Sequence, residues 1–181
     1  DHHWTSLGAA YGYDAWAAYT GRRGGRYGAE DMELVAEGFL GTLQAKVNLD
    51  MAGDPIYYFP ETLKRPLKVT YDLKVETDTC YEASHLDTKN KYGFFLDDNH
   101  AFVEIETGYP NHHTLFVIKD SYANCFIPLL IPHYEKIYVL DPRHFRGRLF
   151  EFMEKYEPEG GMDVLVLYNC IHFLEDFAYV E

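Results

Sequence analysis

Residues 114–130 read TLFVIKDSYANCFIPLL, an apolar run typical of a buried strand followed by a stretch with helical character. Ser121 lies where the predicted strand, 114–118, gives way to the predicted helix, 122–133. A serine at such a junction exposes its hydroxyl. Its own N–H lies at a helix N-terminus, where partial positive charge can hold an oxyanion. Ser121 is therefore a candidate nucleophile, with a plain helix N-cap as the alternative.

Two further strands and a helix are predicted in the last third of the chain. Residues 136–140 and 164–168 are short, apolar and rich in β-formers, and 145–156 has helical character. Apolar strands that alternate with helices are typical of a parallel sheet covered on both faces. Ligands bind at the carboxyl ends of strands in such sheets, so we expect one polar rim there. Its members are Lys119–Ser121, Asp141–Arg143 and Asn169.

The first two thirds of the chain show weaker patterns. Small and aromatic residues at helical spacing predict a helix over 5–19, with Thr5 or Ser6 as its N-cap. The remaining predicted elements are an amphipathic helix over 30–37, a strand or turn at 54–58, a strand over 67–76, and strands at 92–96 and 101–105 that flank a loop at 97–100.

The composition indicates a folded domain that does not bind nucleic acid. With 47% apolar and 17% aromatic residues in 181 positions, the chain can build a core and is not disordered. The formal charge of −13 argues against nucleic acid as a partner, since phosphate contacts require clustered Lys and Arg. The basic cluster Arg22–Arg26 contains two glycines and is predicted to be a solvated loop. The 16 tyrosines suit either a sugar-facing cleft or a core.

The cysteines leave the cellular compartment open. Cys80, Cys125 and Cys170 are too few for a disulfide framework, and the last two are predicted to be buried as small hydrophobic residues. No apolar run approaches the ~18 residues of a membrane span, and no signal peptide precedes Asp1. Because the chain opens directly on a candidate site motif, we expect a fragment that lacks an upstream targeting segment.

That motif is Asp1-His2-His3-Trp4. A serine nucleophile needs a base to take its proton and a carboxylate to orient that base. His3 and Asp1, two positions apart, can supply both groups from one loop, and Trp4 can shield the imidazole from water. The alternative interpretation is a solvated chain terminus.

Other polar residues are candidates for binding. The candidate oxyanion donors are Asn99, His100 and Gly41. Arg143 and His144 could bind an anionic group. A rival hypothesis is metal binding by the adjacent histidine pairs, which are His2–His3 and His112–His113. Adjacent pairs lack the spacing of zinc motifs, so we predict no metal site.

Four segments together resemble the bacterial DHHW proteins, which are named for their Asp-His-His-Trp motif. The segments are Asp1–Thr5, Phe39–Leu43, Val117–Asn124 and Asp141–Phe145. This family is similar to the SGNH hydrolase-like proteins of alginate O-acetylation, which share an Asp-x-His-Trp motif and a later serine. The chain departs from those proteins before Ser121, where Lys-Asp replaces small residues, and at residues 41–43, where they have Gly-Asp-Leu.

The resemblance implies one three-layer α/β/α domain of SGNH type over 1–181, with a mainly parallel sheet and a triad of Asp1, His3 and Ser121. It implies O-acetyl transfer or ester hydrolysis on a cell-envelope or extracellular polysaccharide, without cofactor or metal. Such proteins resemble exported or membrane-anchored ones that work with a membrane-bound acetyl donor. The expected substrate-binding residues are Asn99, Arg143, Trp4 and Tyr122. The alternatives are a non-catalytic carbohydrate-binding or scaffold domain and a metal-dependent hydrolase.

Overall fold

The protein, studied as a computed structural model, is described over residues 1–22, 27–47 and 50–176. The chain forms two compact units. The first unit consists of Asp1–Lys64, Cys80–Asp98 and Asn124–Leu130, and the second consists of Arg65–Thr79, Asn99–Ala123 and Ile131–Glu181. Most of the basic cluster predicted to be a solvated loop, residues 23–26, lies outside the described residues.

The first unit contains helices and a two-stranded antiparallel sheet. The helices are α1 (Ser6–Thr20), α2 (Gly41–Val47) and α3 (Ile127–Leu130), and the strands are β1 (Glu33–Phe39) and β2 (Asp54–Tyr58). α1 confirms the helix predicted over 5–19. Thr5 is its N-cap and accepts a hydrogen bond from the Gly8 N–H at 3.1 Å. Gly21 ends the helix in the left-handed conformation, with φ of 69°.

The amphipathic helix predicted over 30–37 is wrong. Residues 29–31 form one 3₁₀ turn, and β1 follows and pairs with β2, the strand predicted at 54–58. The segment has helical periodicity, but pairing with a strand distant in sequence overrides this weak local preference.

Residues 92–96 do not form the predicted strand either. Lys91–Phe94 form a 3₁₀ helix, and Phe95 makes an isolated β-bridge to Tyr81. Residues 96–98 have positive φ values of 58°, 50° and 71°. Because these values lie outside the extended region, the chain turns instead of continuing as a strand.

The second unit is built on a six-stranded sheet with the order β4-β3-β5-β7-β6-β8. The strands are β3 (Lys68–Tyr71), β4 (Val75–Thr77), β5 (Phe102–Glu106), β6 (Thr114–Lys119), β7 (Lys136–Leu140) and β8 (Asp163–Leu167). The three strands predicted in the last third are confirmed, and they are the ones that pair in parallel, as β7-β6-β8. The other three pairings are antiparallel. The fold is therefore mixed α/β, and the prediction of a mainly parallel sheet is wrong.

The strand predicted over 67–76 is a hairpin of β3 and β4. The Lys74 N–H donates to the Tyr71 carbonyl at 3.0 Å, and Asp72 and Leu73 have φ of 48° and 58°. These are the features of a type I′ turn, which joins antiparallel strands. Alternation of apolar residues continues through the turn, so periodicity alone does not reveal it.

Leu73→Gly should stabilise the protein by roughly 0.5–1 kcal/mol. A leucine at positive φ is strained, and glycine adopts that conformation freely, although its extra freedom in the unfolded chain offsets part of the gain. Leu73 is 59% exposed, so little burial is lost. Urea unfolding measures the effect. The control is Leu43→Gly in α2, where the same exchange should destabilise; destabilisation by both changes would contradict the turn assignment.

The core of the second unit lies on one face of the sheet, where apolar side chains pack with α4 (Leu149–Glu154). Its buried members are Phe102, Phe116, Ile118, Tyr138, Leu140 and Leu149. α4 occupies the middle of the helix predicted over 145–156. Leu115 and Val117, on the opposite face of β6, are also buried, as expected for a central apolar strand.

The helix predicted over 122–133 is broken into short pieces. Ser121–Ala123 and Ile131–His133 form 3₁₀ turns, and α3 occupies one turn between them. Pro128 and Pro132 explain the break, because proline has no N–H to donate and its ring crowds the preceding turn.

The cysteines are all free thiols, and Cys80 and Cys125 are buried. Cys170 is exposed at the start of the last described helix, α5 (Cys170–Asp176). The prediction that Cys170 is buried is wrong, because Cys170 begins α5, a helix in which no residue is buried. Within the described ranges, no helix has both the length and the apolar character needed to cross a membrane.

Candidate functional site

The first unit carries a buried carboxylate–histidine pair. Asp1 Oδ2 lies 2.6 Å from His3 Nδ1, and the two side chains are only 3% and 9% exposed. Asp1 Oδ1 accepts the Thr42 N–H at 3.1 Å and also lies 3.1 Å from His2 Nδ1. With its carboxylate fixed on both oxygens, Asp1 can hold the His3 imidazole with a proton on Nδ1, which leaves Nε2 as the basic nitrogen.

Gly41 is required for this arrangement. It has φ of 67°, and a Cβ at this position would lie 2.2 Å from Asp1 Cγ. A side chain is therefore excluded, and the close approach lets the next residue, Thr42, present its N–H to the carboxylate. The structure thus places Gly41, one of the candidate oxyanion donors, directly against Asp1.

Aromatic rings fix the remaining sides of the motif. The His3 ring stacks on Tyr92 at 3.8 Å, and the Tyr92 hydroxyl accepts the Cys125 N–H at 3.4 Å. Trp4 stacks on Phe126 at 5.6 Å. His3 and Trp4 line a small cavity of about 20 Å³, which is room for about one water molecule. The imidazole is therefore held in one orientation by its neighbours.

Ser121 lies in the second unit, directly after β6, and is 8% exposed. It begins a 3₁₀ turn and not the predicted α-helix. The polar rim predicted at the carboxyl ends of the strands is confirmed. Lys119 Nζ lies 3.2 Å from Asp141 Oδ2 after β7, and the Asn169 N–H after β8 donates to Asp120 at 3.2 Å. The parallel register of the three strands brings these loops together.

A buried charge cluster forms the β7 side of this rim. Asp141 is fully buried, pairs with Lys119 and is held by the Arg143 guanidinium through Nε at 2.9 Å and Nη2 at 2.6 Å. Burial alone would raise the pKa of Asp141, but the hydrogen bonds from Arg143 and the charge of Lys119 outweigh it and lower the pKa. Burial lowers the pKa of Lys119, although the Asp141 charge opposes that shift.

The same cluster orients Asn99. Its Oδ1 accepts hydrogen bonds from Lys119 Nζ at 3.1 Å and from Arg143 Nη2 at 3.3 Å. Since both partners are donors, the amide oxygen must face them, and the Nδ2 donor points the other way. The amide of Asn99 is therefore held in one orientation, and its role as an oxyanion donor stays a prediction.

A second carboxylate–histidine pair, which the sequence did not reveal, includes Asp120, the residue directly before Ser121. Asp120 Oδ2 is 2.7 Å from His172 Nδ1 on α5, and Asp120 Oδ1 accepts the Tyr122 N–H at 2.9 Å. The signal in the sequence was slight. His172 follows Asn169 by three residues, about one helical turn beyond a predicted rim position.

The other predicted residues lie in different surroundings. His100 Nδ1 is 3.0 Å from Asp72 Oδ2, and its ring stacks on Tyr71. His112 and His113 are at the amino end of β6, away from the carboxyl-end rim. The predicted site residues are divided between the two units. The first unit contains Asp1, His3 and Trp4, and the second unit contains Asn99, Ser121, Tyr122 and Arg143. The pairing of His3 with Ser121 and the substrate-binding roles stay predictions.

Three residues of the motif also meet a geometric condition for metal binding. Asp1, His2 and His3 each place one ligand atom within 4.8 Å of the others. The hydrogen bonds between Asp1 and the two histidines use atoms of the same carboxylate and imidazoles. A metal ion bound there would have to replace those hydrogen bonds.

The fold and the motif define the class: a mixed α/β protein with a buried Asp–His pair at residues 1–3 and a rim serine after a central strand. The sequence model of the DHHW protein family matches residues 1–140, and the chain belongs to that family. A comparison with curated protein sequences finds no match.

Solved structures share the fold. A DHHW family protein from Eubacterium siraeum is 25% identical with a TM-score of 0.74, over 93% of this chain and 57% of its own. PatB1 of Bacillus cereus, solved alone and with a sulfonyl adduct, is 20% identical with TM-scores of 0.67 and 0.69. Those matches cover 93% of this chain and 60% and 58% of PatB1. The chain thus spans less than two thirds of these proteins.

Proposed function

We propose that this protein transfers or hydrolyses O-acyl groups, acetyl above all, with Ser121 as nucleophile, His3 as base and Asp1 as the orienting acid. The observation that carries the proposal is the buried Asp1–His3 pair, with 2.6 Å between Oδ2 and Nδ1. This contact is the part of a Ser-His-Asp triad that sets the tautomer of the base. The proposal includes the three-layer α/β/α arrangement of SGNH hydrolase-like proteins, with a mixed sheet.

The mechanism is a two-step acyl transfer. Ser121 Oγ attacks the acyl carbonyl carbon while His3 Nε2 takes the hydroxyl proton, so the mechanism requires those two atoms within hydrogen-bond reach. The Ser121 N–H and Asn99 Nδ2 hold the oxyanion. The intermediate then collapses, and His3 returns the proton to the departing alcohol. Water or an acceptor hydroxyl next attacks the acyl-enzyme and releases Ser121.

PatB1 lends support to this chemistry. Its structure with a sulfonyl adduct implies a nucleophilic group in that protein, because a sulfonyl adduct forms when a nucleophile attacks a sulfonyl reagent. The shared fold makes the same kind of group reasonable here, and Ser121 is the candidate. The identity of 20% supports the fold, so the chemistry is proposed on the Asp1–His3 geometry.

The substrate we propose is an acetylated polysaccharide of the cell envelope or extracellular space. Asn99, Arg143, Trp4 and Tyr122 would contact it, since arginine and amide groups hydrogen-bond hydroxyls and aromatic faces pack on sugar rings. We also propose that the protein is exported or membrane-anchored and receives acetyl groups from a membrane-bound donor. This location follows from a substrate in the cell envelope or extracellular space.

Labelling with a fluorophosphonate probe tests the nucleophile. The probe should label the wild type, and Ser121→Ala should abolish the label, because the serine oxygen displaces fluoride only when it is activated. Ser84→Ala, a change at an exposed serine, is the matched control and should label like the wild type.

Three other outcomes would contradict the proposal. Undiminished labelling of Ser121→Ala would assign the nucleophile elsewhere. A wild type that is neither labelled nor active on acetyl esters would favour the non-catalytic carbohydrate-binding domain. Ester turnover that a chelator abolishes and Ser121→Ala retains would favour the metal-dependent hydrolase.

A further inference from the structure

The rim of the second unit contains a histidine that the proposed triad does not use. His172 lies on the first turn of α5, and its Nδ1 is 2.7 Å from Asp120 Oδ2. Asp120 is the residue directly before Ser121 in the chain and is fully buried. A buried carboxylate paired with one nitrogen of an imidazole is the arrangement that makes the other nitrogen a base.

The Asp120 carboxylate is fixed by the backbone of the Ser121 turn itself. Oδ1 accepts the Tyr122 N–H at 2.9 Å, and Oδ2 accepts the Asn169 N–H at 3.2 Å in addition to His172. Any shift of the Ser121 turn therefore moves the partner of His172 with it. This coupling keeps the imidazole in a defined place relative to the nucleophile.

The exposure of His172 differs from that of His3. The His172 side chain is 36% exposed, whereas that of His3 is 9% exposed. A base for the serine hydroxyl benefits from shielding, but a base for an incoming hydroxyl must be reachable by that molecule. His172 meets the second requirement, and its contact with the Asp120 carboxylate selects the tautomer that carries its proton on Nδ1, with Nε2 as the acceptor.

We propose that His172 is the general base for the acyl acceptor, a role that rests on the proposed function of Ser121. The acceptor hydroxyl, of water or of a sugar, forms a bond to the acyl carbon while His172 Nε2 takes its proton. The tetrahedral intermediate then breaks the bond between the acyl carbon and Ser121 Oγ. The proton on His172 returns through solvent to the serine oxygen, so the enzyme ends in its starting state.

His172→Asn separates this role from a structural one. The asparagine amide can still donate to Asp120 from nearly the position of Nδ1, but it has no basic nitrogen. Two rates are measured: fluorophosphonate labelling, which reports attack by Ser121, and kcat for p-nitrophenyl acetate hydrolysis, which includes attack by water. We expect labelling within twofold of wild type and kcat lower by about 100-fold, the usual contribution of a general base.

Hydroxylamine supplies a readout that a structural defect would not give. It is a strong nucleophile and needs less help from a base, so it should restore most of the lost turnover of His172→Asn. His85→Asn is the matched control, because His85 also pairs with an aspartate, Asp97 at 2.8 Å, but lies in the first unit; it should leave both rates unchanged. His172→Ala serves as the second variant and should show the same split between the two rates.

The outcomes distinguish this inference from the proposed function. Unchanged kcat in His172→Asn, or an equal fall in labelling and turnover without rescue, would overturn the role of His172 alone. Labelling that persists in Ser121→Ala would overturn the proposed function, and the role of His172 with it.

Discussion

Asp1→Asn should lower ester turnover by about 10⁴-fold, the loss expected when the orienting carboxylate of a Ser-His-Asp triad becomes an amide. Asp1 Oδ1 accepts the Thr42 N–H and Oδ2 faces His3 Nδ1. An amide has one oxygen for these two donors. If its oxygen stays on Thr42, its NH₂ group faces Nδ1, and His3 must carry its proton on Nε2. In that tautomer His3 cannot accept the serine proton.

The lower turnover of Asp1→Asn must be separated from any loss of folded protein. kcat for p-nitrophenyl acetate and the urea unfolding curve should be measured on the same preparations. Asp54→Asn is the matched control, because Asp54 is exposed at the start of β2 and lines the same small cavity as His3. We expect the control to keep full activity. Turnover of Asp1→Asn within tenfold of wild type would remove Asp1 from the mechanism.

The strands of the last third were predictable because their signal is local. β6 is buried on both faces and reads as one apolar run, and the same holds for β7. Their parallel pairing followed from the predicted helical segments between consecutive strands, 122–133 and 145–156. The antiparallel half of the sheet was not predictable in this way. The turn at Asp72–Leu73 has a leucine at positive φ where a type I′ turn usually has glycine, so the Asp-Gly signal is absent.

The candidate site was predictable where its chemistry is adjacent in sequence. Asp1 and His3 are two residues apart, and the rim residues each follow a strand. The pairs Lys119–Asp141 and Asp120–His172 depend on which strands are neighbours in the sheet. Local patterns do not encode strand order, because the hydrogen bonds that set it join distant segments. The sequence therefore indicated the rim but not the partners within it.

Lys119→Met should destabilise the protein by about 3 kcal/mol, the lower end of the cost of removing one partner from a buried ion pair. Lys119 is 1% exposed and lies 3.2 Å from Asp141, which is fully buried. Methionine replaces the lysine chain as far as Cε and keeps its apolar contacts, but it leaves part of the Asp141 charge uncompensated. Arg143 stays bound to Asp141, which keeps the expected loss at the lower end.

Urea unfolding measures this loss, and Lys68→Met is the matched control. Lys68 makes an ion pair with Glu76 at 3.0 Å, but both side chains are at least half exposed. Water solvates exposed charges in the folded and unfolded states alike, so we expect no measurable change there. A loss below about 1 kcal/mol in Lys119→Met would show that the buried pair contributes little.

The dependence of this loss on pH separates an ionic cause from a packing cause. Burial raises the pKa of Asp141, but the hydrogen bonds from Arg143 and the charge of Lys119 together hold that pKa below its usual value in the folded state. The stability from this group is therefore complete above the ordinary aspartate pKa and disappears as pH falls through the lowered pKa. Without Lys119 the folded pKa of Asp141 rises, so acid unfolding should begin at higher pH in Lys119→Met. In the Asp141→Asn background the same lysine change should cost less, because no buried carboxylate is left without its partner. A packing defect would instead give the same loss in both backgrounds and at every pH.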